Sequence, residues 1–257
     1  MGAPNVESKI YTGIVLDFET GGLDATRCAC TQIAMHSIRF DTLEVIERYE
    51  RYIYPYNRRE IGQPKRKVLK TKHEQAQEAA GVLMDYEDVA LRYSGITMDQ
   101  LYNSGAQMEE VAADVIRLVE NAALSKGAQC KPILIGQNIA FDVTFLHQLM
   151  NYGGKLKEFE KAFAGKKDFY GNFQPVCIDT ITLARMIFAA DPEMTSYKLE
   201  LICERLGIEL DDAHDAGADV TATADIFRLC SSRLRNSDGG GGDMNLKKEK
   251  TRNHFLI

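Results

Sequence analysis

Residues 10 to 18, IYTGIVLDF, form an apolar run dense in β-branched and aromatic side chains, and it closes on Thr20-Gly21-Gly22. Such a run reads as a buried strand entering a tight loop. Two further strands are expected near 31 to 40 and 43 to 54, and a polar, basic stretch from Asn57 to Lys72 then ends the strand pattern. Helix is expected over about 74 to 93. From Gln107 to Lys126, Met108, Val111, Ala112, Val115, Leu118, Val119 and Ala122 recur at helical spacing, with Gly127 placed to end the helix. A short strand at 132 to 135, a helix at 141 to 150, a strand near 176 to 178 and helices over 180 to 190, 197 to 206 and 214 to 235 complete the pattern. Three strands followed by alternating helix and strand imply an α/β domain, with a mixed sheet and functional groups at strand ends and helix starts.

The sequence divides into one domain over 1–235 and a tail over 236–257, where four glycines lead into LKKEKTRNHFLI, a flexible linker and basic end. A formal net charge of −6 argues against a protein that coats nucleic acid through bulk electrostatics. A local basic rim suffices for an end-directed enzyme. The six cysteines lack the spacing of a disulfide framework and read as reduced. The first twenty residues carry no leader pattern and no run is long enough to cross a membrane, so the chain is expected to be soluble, cytoplasmic and free of membrane partners.

The chemistry-bearing residues fall in three places. Asp17 and Glu19 alternate around Phe18, so on a strand both carboxylates share one face. Solvated strand-end acids would look the same, but two carboxylates at the mouth of a buried strand also suit a hard divalent cation. In GQNIAFD, Asn138 is placed to cap a helix whose first turn holds Asp142, an acid that also suits the helix dipole. Phe141 and Phe145 share a helix face, for core packing or for stacking on a base. In AHDAGAD, His214 stands at a helix entrance with Asp219 five positions on. A lone histidine is usually structural, but this side chain titrates where a general base works. Four carboxylates and a base together suit a phosphodiester hydrolase with two cations about 3.5 to 4 Å apart.

In these three segments the chain resembles the DEDDh branch of the DnaQ-like 3′→5′ exonuclease superfamily. LDFETGGLD matches the first motif, Asn138, Phe141, Asp142, Phe145 and Leu146 the second, and His214, Ala216 and Asp219 the third. Ser94-Gly95-Ile96-Thr97 and Ile178-Asp179-Thr180 match secondary features. The resemblance implies a ribonuclease H-like fold with a mixed five-stranded sheet flanked by helices. It implies Asp17, Glu19, Asp142 and Asp219 as ligands of two divalent cations, Mg²⁺ or Mn²⁺, and His214 as the catalytic base. It places Thr20, Gly21, Leu23, Asn138 and Phe145 against the terminal nucleotide. The expected substrate is a single-stranded 3′ end of DNA, or of RNA, in proofreading or repair. Trimming of RNA ends or oligonucleotides is the alternative within enzymes, and a non-catalytic end-binding module is the rival from another class. The tail's end, Phe255-Leu256-Ile257, reads either as a segment that docks on a DNA polymerase or sliding clamp or as a free terminus with incidental apolar residues.

Two basic stretches lie outside the motifs. Lys65, Arg66, Lys67, Lys70 and Lys72 form one, and Lys155, Lys157, Lys161, Lys166 and Lys167 the other. Each reads either as a phosphate grip or as solvated surface. Cys28-Ala-Cys30 near His36 lacks the second ligand pair a structural zinc site needs. Asp179, Asp211, Asp212, Asp215 and Asp225 read as caps or solvated acids, with Asp179 capping the helix at Thr180.

Overall fold

The computed structural model describes residues 9–59, 81–210 and 214–235. The apolar run becomes β1 (Thr12–Thr20), which pairs antiparallel with β2 (Cys30–Arg39), itself antiparallel to β3 (Val45–Tyr52). On its other side β1 pairs parallel with β4 (Ile133–Gly136), and β4 pairs parallel with β7 (Cys177–Asp179). The five-stranded sheet has the order β3-β2-β1-β4-β7 and is mixed, as the element order implied.

Helices cover both faces. Ile14, Leu16 and Phe18 point to one side and pack in a core with Met108, Val111, Val115 and Leu118 of α3 (Met108–Ala122) and Phe145, Leu146 and Leu149 of α4 (Ala140–Tyr152). Val15 points the other way, onto Ala216, Val220, Ala224 and Phe227 of α8 (Ala216–Arg235). Strand alternation therefore places Asp17 and Glu19 on the α8 side, at the end of β1 where the apolar cover gives out. The remaining helices are α1 (Asp88–Ser94), α2 (Met98–Ser104), α5 (Leu156–Ala162), α6 (Thr180–Ile187) and α7 (Leu199–Leu206).

Three expectations are corrected. Of the helix expected over 74 to 93, the described part, from residue 81 on, is helical only in α1, because residues 82 to 87 spend their backbone bonds elsewhere: Met84 N donates to the Tyr56 carbonyl, Asp85 N to Arg27 and Glu87 N to Gly21. Residues 60 to 80, with the first basic stretch, lie outside the described residues. Helix α3 stops at Ala122 rather than Lys126, since the Ala122 carbonyl accepts from Thr12 Oγ1 at 2.9 Å and from Leu124 N; Gly127 instead precedes a 3₁₀ turn, Ala128–Cys130. The second basic stretch contains α5 and a small hairpin, β5 (Gly165–Lys167) with β6 (Phe173–Pro175), that the periodicity did not show.

Candidate active site

The end of β1 supplies two of the four expected carboxylates. A register shift against β2 falls between Glu19 and Thr20, so regular pairing breaks just past the acids and the chain turns into the Gly21-Gly22 loop. Gly21 is fixed by close approach: its N–H donates to the Ala29 carbonyl at 2.8 Å, its carbonyl accepts from Glu87 N, and a Cβ there would lie 2.5 Å from the Asp85 carbonyl oxygen. Thr20 Oγ1 donates to the Gly22 carbonyl at 2.8 Å. Thr20 and Gly21 thus build the loop from inside, whereas Leu23 is displayed to solvent with 85% of its surface exposed.

Asp142 enters from the first turn of α4. It is buried, and its Oδ1 accepts from the Phe18 N–H at 3.0 Å, the amide between Asp17 and Glu19. Asp219 comes from the first turn of α8. Oxygens of Asp17, Glu19 and Asp219 lie within 4.8 Å of one another; Asp142 adjoins this trio through the Phe18 amide rather than belonging to it. Asp219 Oδ1 is buried with no hydrogen-bond partner among the described residues.

The electrostatics follow from the crowding. Burial, then the charges of Asp219 and Asp215, push Asp17 up to about 8. Burial and the Asp17 charge, with smaller contributions from Asp219 and Asp215, push Glu19 up to about 9. Asp142 is raised by burial and by Asp17 against the opposing Phe18 N–H bond. Asp219 is raised less, to about 6, by burial, with His214 pulling it back down. A trio of acids this close, with an orphaned oxygen, fits a divalent cation, which would remove the repulsion and take the unused lone pair.

His214 precedes α8 with a left-handed backbone, φ 77°, and its ring lies on Tyr93 of α1 with centroids 3.8 Å apart. Asn138 is also left-handed, φ 54°, and exposed, with its N–H donating to Asp179 Oδ1 at 3.2 Å. The expected cap by Asn138 is corrected: Ile139 occupies the N-cap of α4, and the strand-end turn takes Asn138 out of capping geometry. Asp179 does cap α6, accepting from Ile181 N at 2.9 Å. Phe145 is a second correction. It is 0% exposed and packs against Phe141 and Phe18, so it offers no surface to a nucleotide, and core packing accounts for the shared helix face.

Asp17, Asn138, His214 and Asp219 line one open cleft of about 480 Å³. The same cleft is lined by Tyr93, Gln137, Arg185, Tyr197 and Lys198, none of which the sequence singled out, with the Arg185 guanidinium 5.4 Å above the Tyr197 ring. Tyr93 had one local signal, an aromatic just before the Ser94-Gly95 turn. Gln32 was missed as well. Its Nε2 donates to Glu50 Oε1 and Asp215 Oδ1, both at 2.9 Å, and its Oε1 accepts from Ala216 N, tying β2 to the entrance of α8. Asp215 Oδ2 also accepts from Ala218 N, as a cap does, and Asp225 pairs with Arg228. Asp211 and Asp212 lie outside the described residues. Cys28 and Cys30 turn toward Glu87 and Gln148, no cysteine is paired, and the carboxylate trio is the metal-ligand cluster found among the described residues. Lys155 and Lys167 pair with Glu158 and Glu160 on the surface. Among the described residues no helix is long and apolar enough to cross a membrane.

A mixed α/β sheet with clustered carboxylates at the end of its central strand defines a ribonuclease H-like domain with an acidic, cation-ready cleft. Residues 81–227, more than half of the chain, match the exonuclease family RNase_T, so the chain belongs to that family and to the DnaQ-like exonuclease superfamily. Asp142, His214 and Asp219 lie inside the matched span; Asp17 and Glu19 precede it. The DNA polymerase III PolC-type of Clostridium perfringens is 31% identical over 126 residues, 49% of this chain and 7% of the polymerase. Among solved structures, E. coli exonuclease I bound to a dT13 oligonucleotide superposes with a TM-score of 0.58 at 21% identity, covering 89% of this chain and 43% of that one. A 3′-exonuclease with 3′-end-specific recognition of a histone mRNA stem-loop superposes with a TM-score of 0.56 at 18% identity, covering 89% and 84%. At such identities the structural likeness is one of fold. The chain spans less than half of exonuclease I and a small part of the polymerase.

Proposed function

We propose that this chain is a metal-dependent 3′→5′ exonuclease of DEDDh type acting on single-stranded DNA 3′ ends. The observation that carries the reading is the meeting of Asp17, Glu19 and Asp219 within 4.8 Å, beside Asp142 and with His214 in the same cleft. Asp17, Glu19, Asp142 and Asp219 would hold two Mg²⁺ or Mn²⁺ ions, which when bound stabilise the attacking and departing oxygens. His214 takes the proton of the attacking water, the water oxygen bonds to phosphorus, and the P–O3′ bond breaks. The products are a nucleoside 5′-monophosphate and a strand one residue shorter with a free 3′ hydroxyl. The exposed Leu23, the Thr20 and Gly21 that build its loop, and the cleft-lining Asn138 border the terminal nucleotide. DNA is placed ahead of RNA because of the likeness to a DNA polymerase, which also supports a proofreading setting and a polymerase or clamp partner for residues 236–257.

The test is degradation of 5′-labelled single-stranded DNA, mismatched primer DNA and single-stranded RNA in Mg²⁺ or EDTA, comparing the wild type with Asp142→Ala. Stepwise shortening from the 3′ end that needs Mg²⁺ and is lost in the variant is expected, with DNA preferred. Faster shortening of RNA would make trimming of RNA ends the activity. Binding of ends without shortening would replace the enzyme with an end-binding module.

A further inference from the structure

The tip of the β5–β6 hairpin displays two aromatic rings that nothing among the described residues covers. Phe169 is 96% exposed and Tyr170 84%, and their rings meet edge to face at 5.4 Å. Their exposure is built in. Asp168 Oδ1 accepts from the N–H groups of Tyr170 and Asn172, both at 2.9 Å, Asp168 N donates to the Asn172 carbonyl, and Gly171 takes the left-handed conformation, φ 84°, that closes the turn. Just past the turn, Phe173 is buried against Phe159, with ring centroids 5.1 Å apart, which anchors the hairpin. The rings are thus held out on a fixed turn, in a position where apolar surface is costly to leave in water.

We propose that this tip, Phe169 and Tyr170 with the adjoining Lys166 and Lys167, is a stacking surface for the bases of a single-stranded nucleic acid whose 3′ end lies in the carboxylate cleft. The proposal rests on the exonuclease reading. Aromatic faces beside cationic side chains are the chemistry that holds unpaired bases and their phosphates. An apolar protein partner fits less well, since lysine is depleted from the cores of such interfaces and the flank from Gly165 to Lys167 is exposed. The positive flank is local, with Lys167 also paired to Glu160 at 2.9 Å, on a chain of net charge −6. The hairpin also lies beside the helix that carries Asp142: the backbone of Phe173 meets the His147 imidazole halfway along α4. From Asp142 to His147 is one and a half helical turns, and from Phe173 to the tip three residues, which puts tip and cleft on the order of 20 Å apart, within reach of a short strand.

The chain contains no tryptophan, so Tyr170→Trp adds a unique fluorophore at the tip. In an Asp142→Ala background with Mg²⁺, an oligothymidylate of about sixteen residues should quench its emission, and a thymidine dinucleotide should not. In the otherwise unchanged enzyme, Phe169→Ala with Tyr170→Ala should raise KM for the long strand at least about fivefold and leave kcat/KM for the dinucleotide unchanged. Unchanged KM with no quenching overturns the proposal, as does quenching by the protein's own concentration, which would make the tip a contact between copies. If the wild type cleaves neither substrate while the long strand still quenches, the activity reading falls and the stacking surface stands.

Discussion

Asp17 and Glu19 sit at about 8 and about 9 because the fold buries them together. In the unfolded chain both titrate near 4. Between about pH 4 and those raised values, the folded protein without cations holds protons that the unfolded chain has released. The associated stability is complete below the unfolded values and is lost as pH rises through 8 to 9. The Tm of EDTA-treated protein should therefore fall from about pH 5 to about pH 9, with Mg²⁺ flattening the curve and Asp17→Asn reducing its slope. A flat metal-free curve would show that the acids do not crowd as described. For His214, the expectation is a kcat lowered about 10²- to 10⁴-fold in His214→Ala with Mn²⁺ affinity retained in calorimetry. Comparable Mn²⁺ affinity and a near-normal kcat would remove the histidine from the reaction.

Among the elements, α4 shows how one helix can serve two ends. Its first turn sends Asp142 to β1, while Phe145, Leu146 and Leu149 fill the core under the sheet. Phe145→Ala should cost about 3–5 kcal/mol in urea unfolding and leave KM of the folded fraction unchanged; a raised KM at normal stability would return Phe145 to the substrate wall. The entrance of α8 is held differently, through the Gln32 amide bonded to Glu50 and Asp215. Gln32→Leu leaves both carboxylates without that donor, at about 1–3 kcal/mol. It should lower kcat through the loosened His214 turn while KM stays near that of the wild type, and steady-state kinetics on the same oligonucleotide separates the two.

For the whole molecule, the hydrophobic cores among the described residues, on both faces of the sheet, draw on positions up to Cys230, and α8 spans Ala216–Arg235. A chain ending at residue 235 should keep its Tm within a few degrees and its oligonucleotide hydrolysis intact, with any polymerase or clamp association lost. A collapse of Tm on truncation would show that residues 236–257 belong to the domain.

The mixed sheet, the order of its elements and the positions of Asp17, Glu19, Asp142, His214 and Asp219 were legible in the sequence, because strand alternation and helix periodicity are local and the three motifs each lie within a few residues. The hairpin of the second basic stretch was not, since three-residue strands carry too little pattern, and neither was the early end of α3, which a distant Thr12 hydroxyl brings about. The family resemblance in the sequence placed Phe145 and Asn138 beside a nucleotide. Only the tertiary structure decided that one is core and the other a cleft-lining turn, because burial is set by what α4 packs against. It likewise brought Tyr93, Arg185 and Tyr197 to the acids from remote segments, and the interactions between them exist only once the chain has folded.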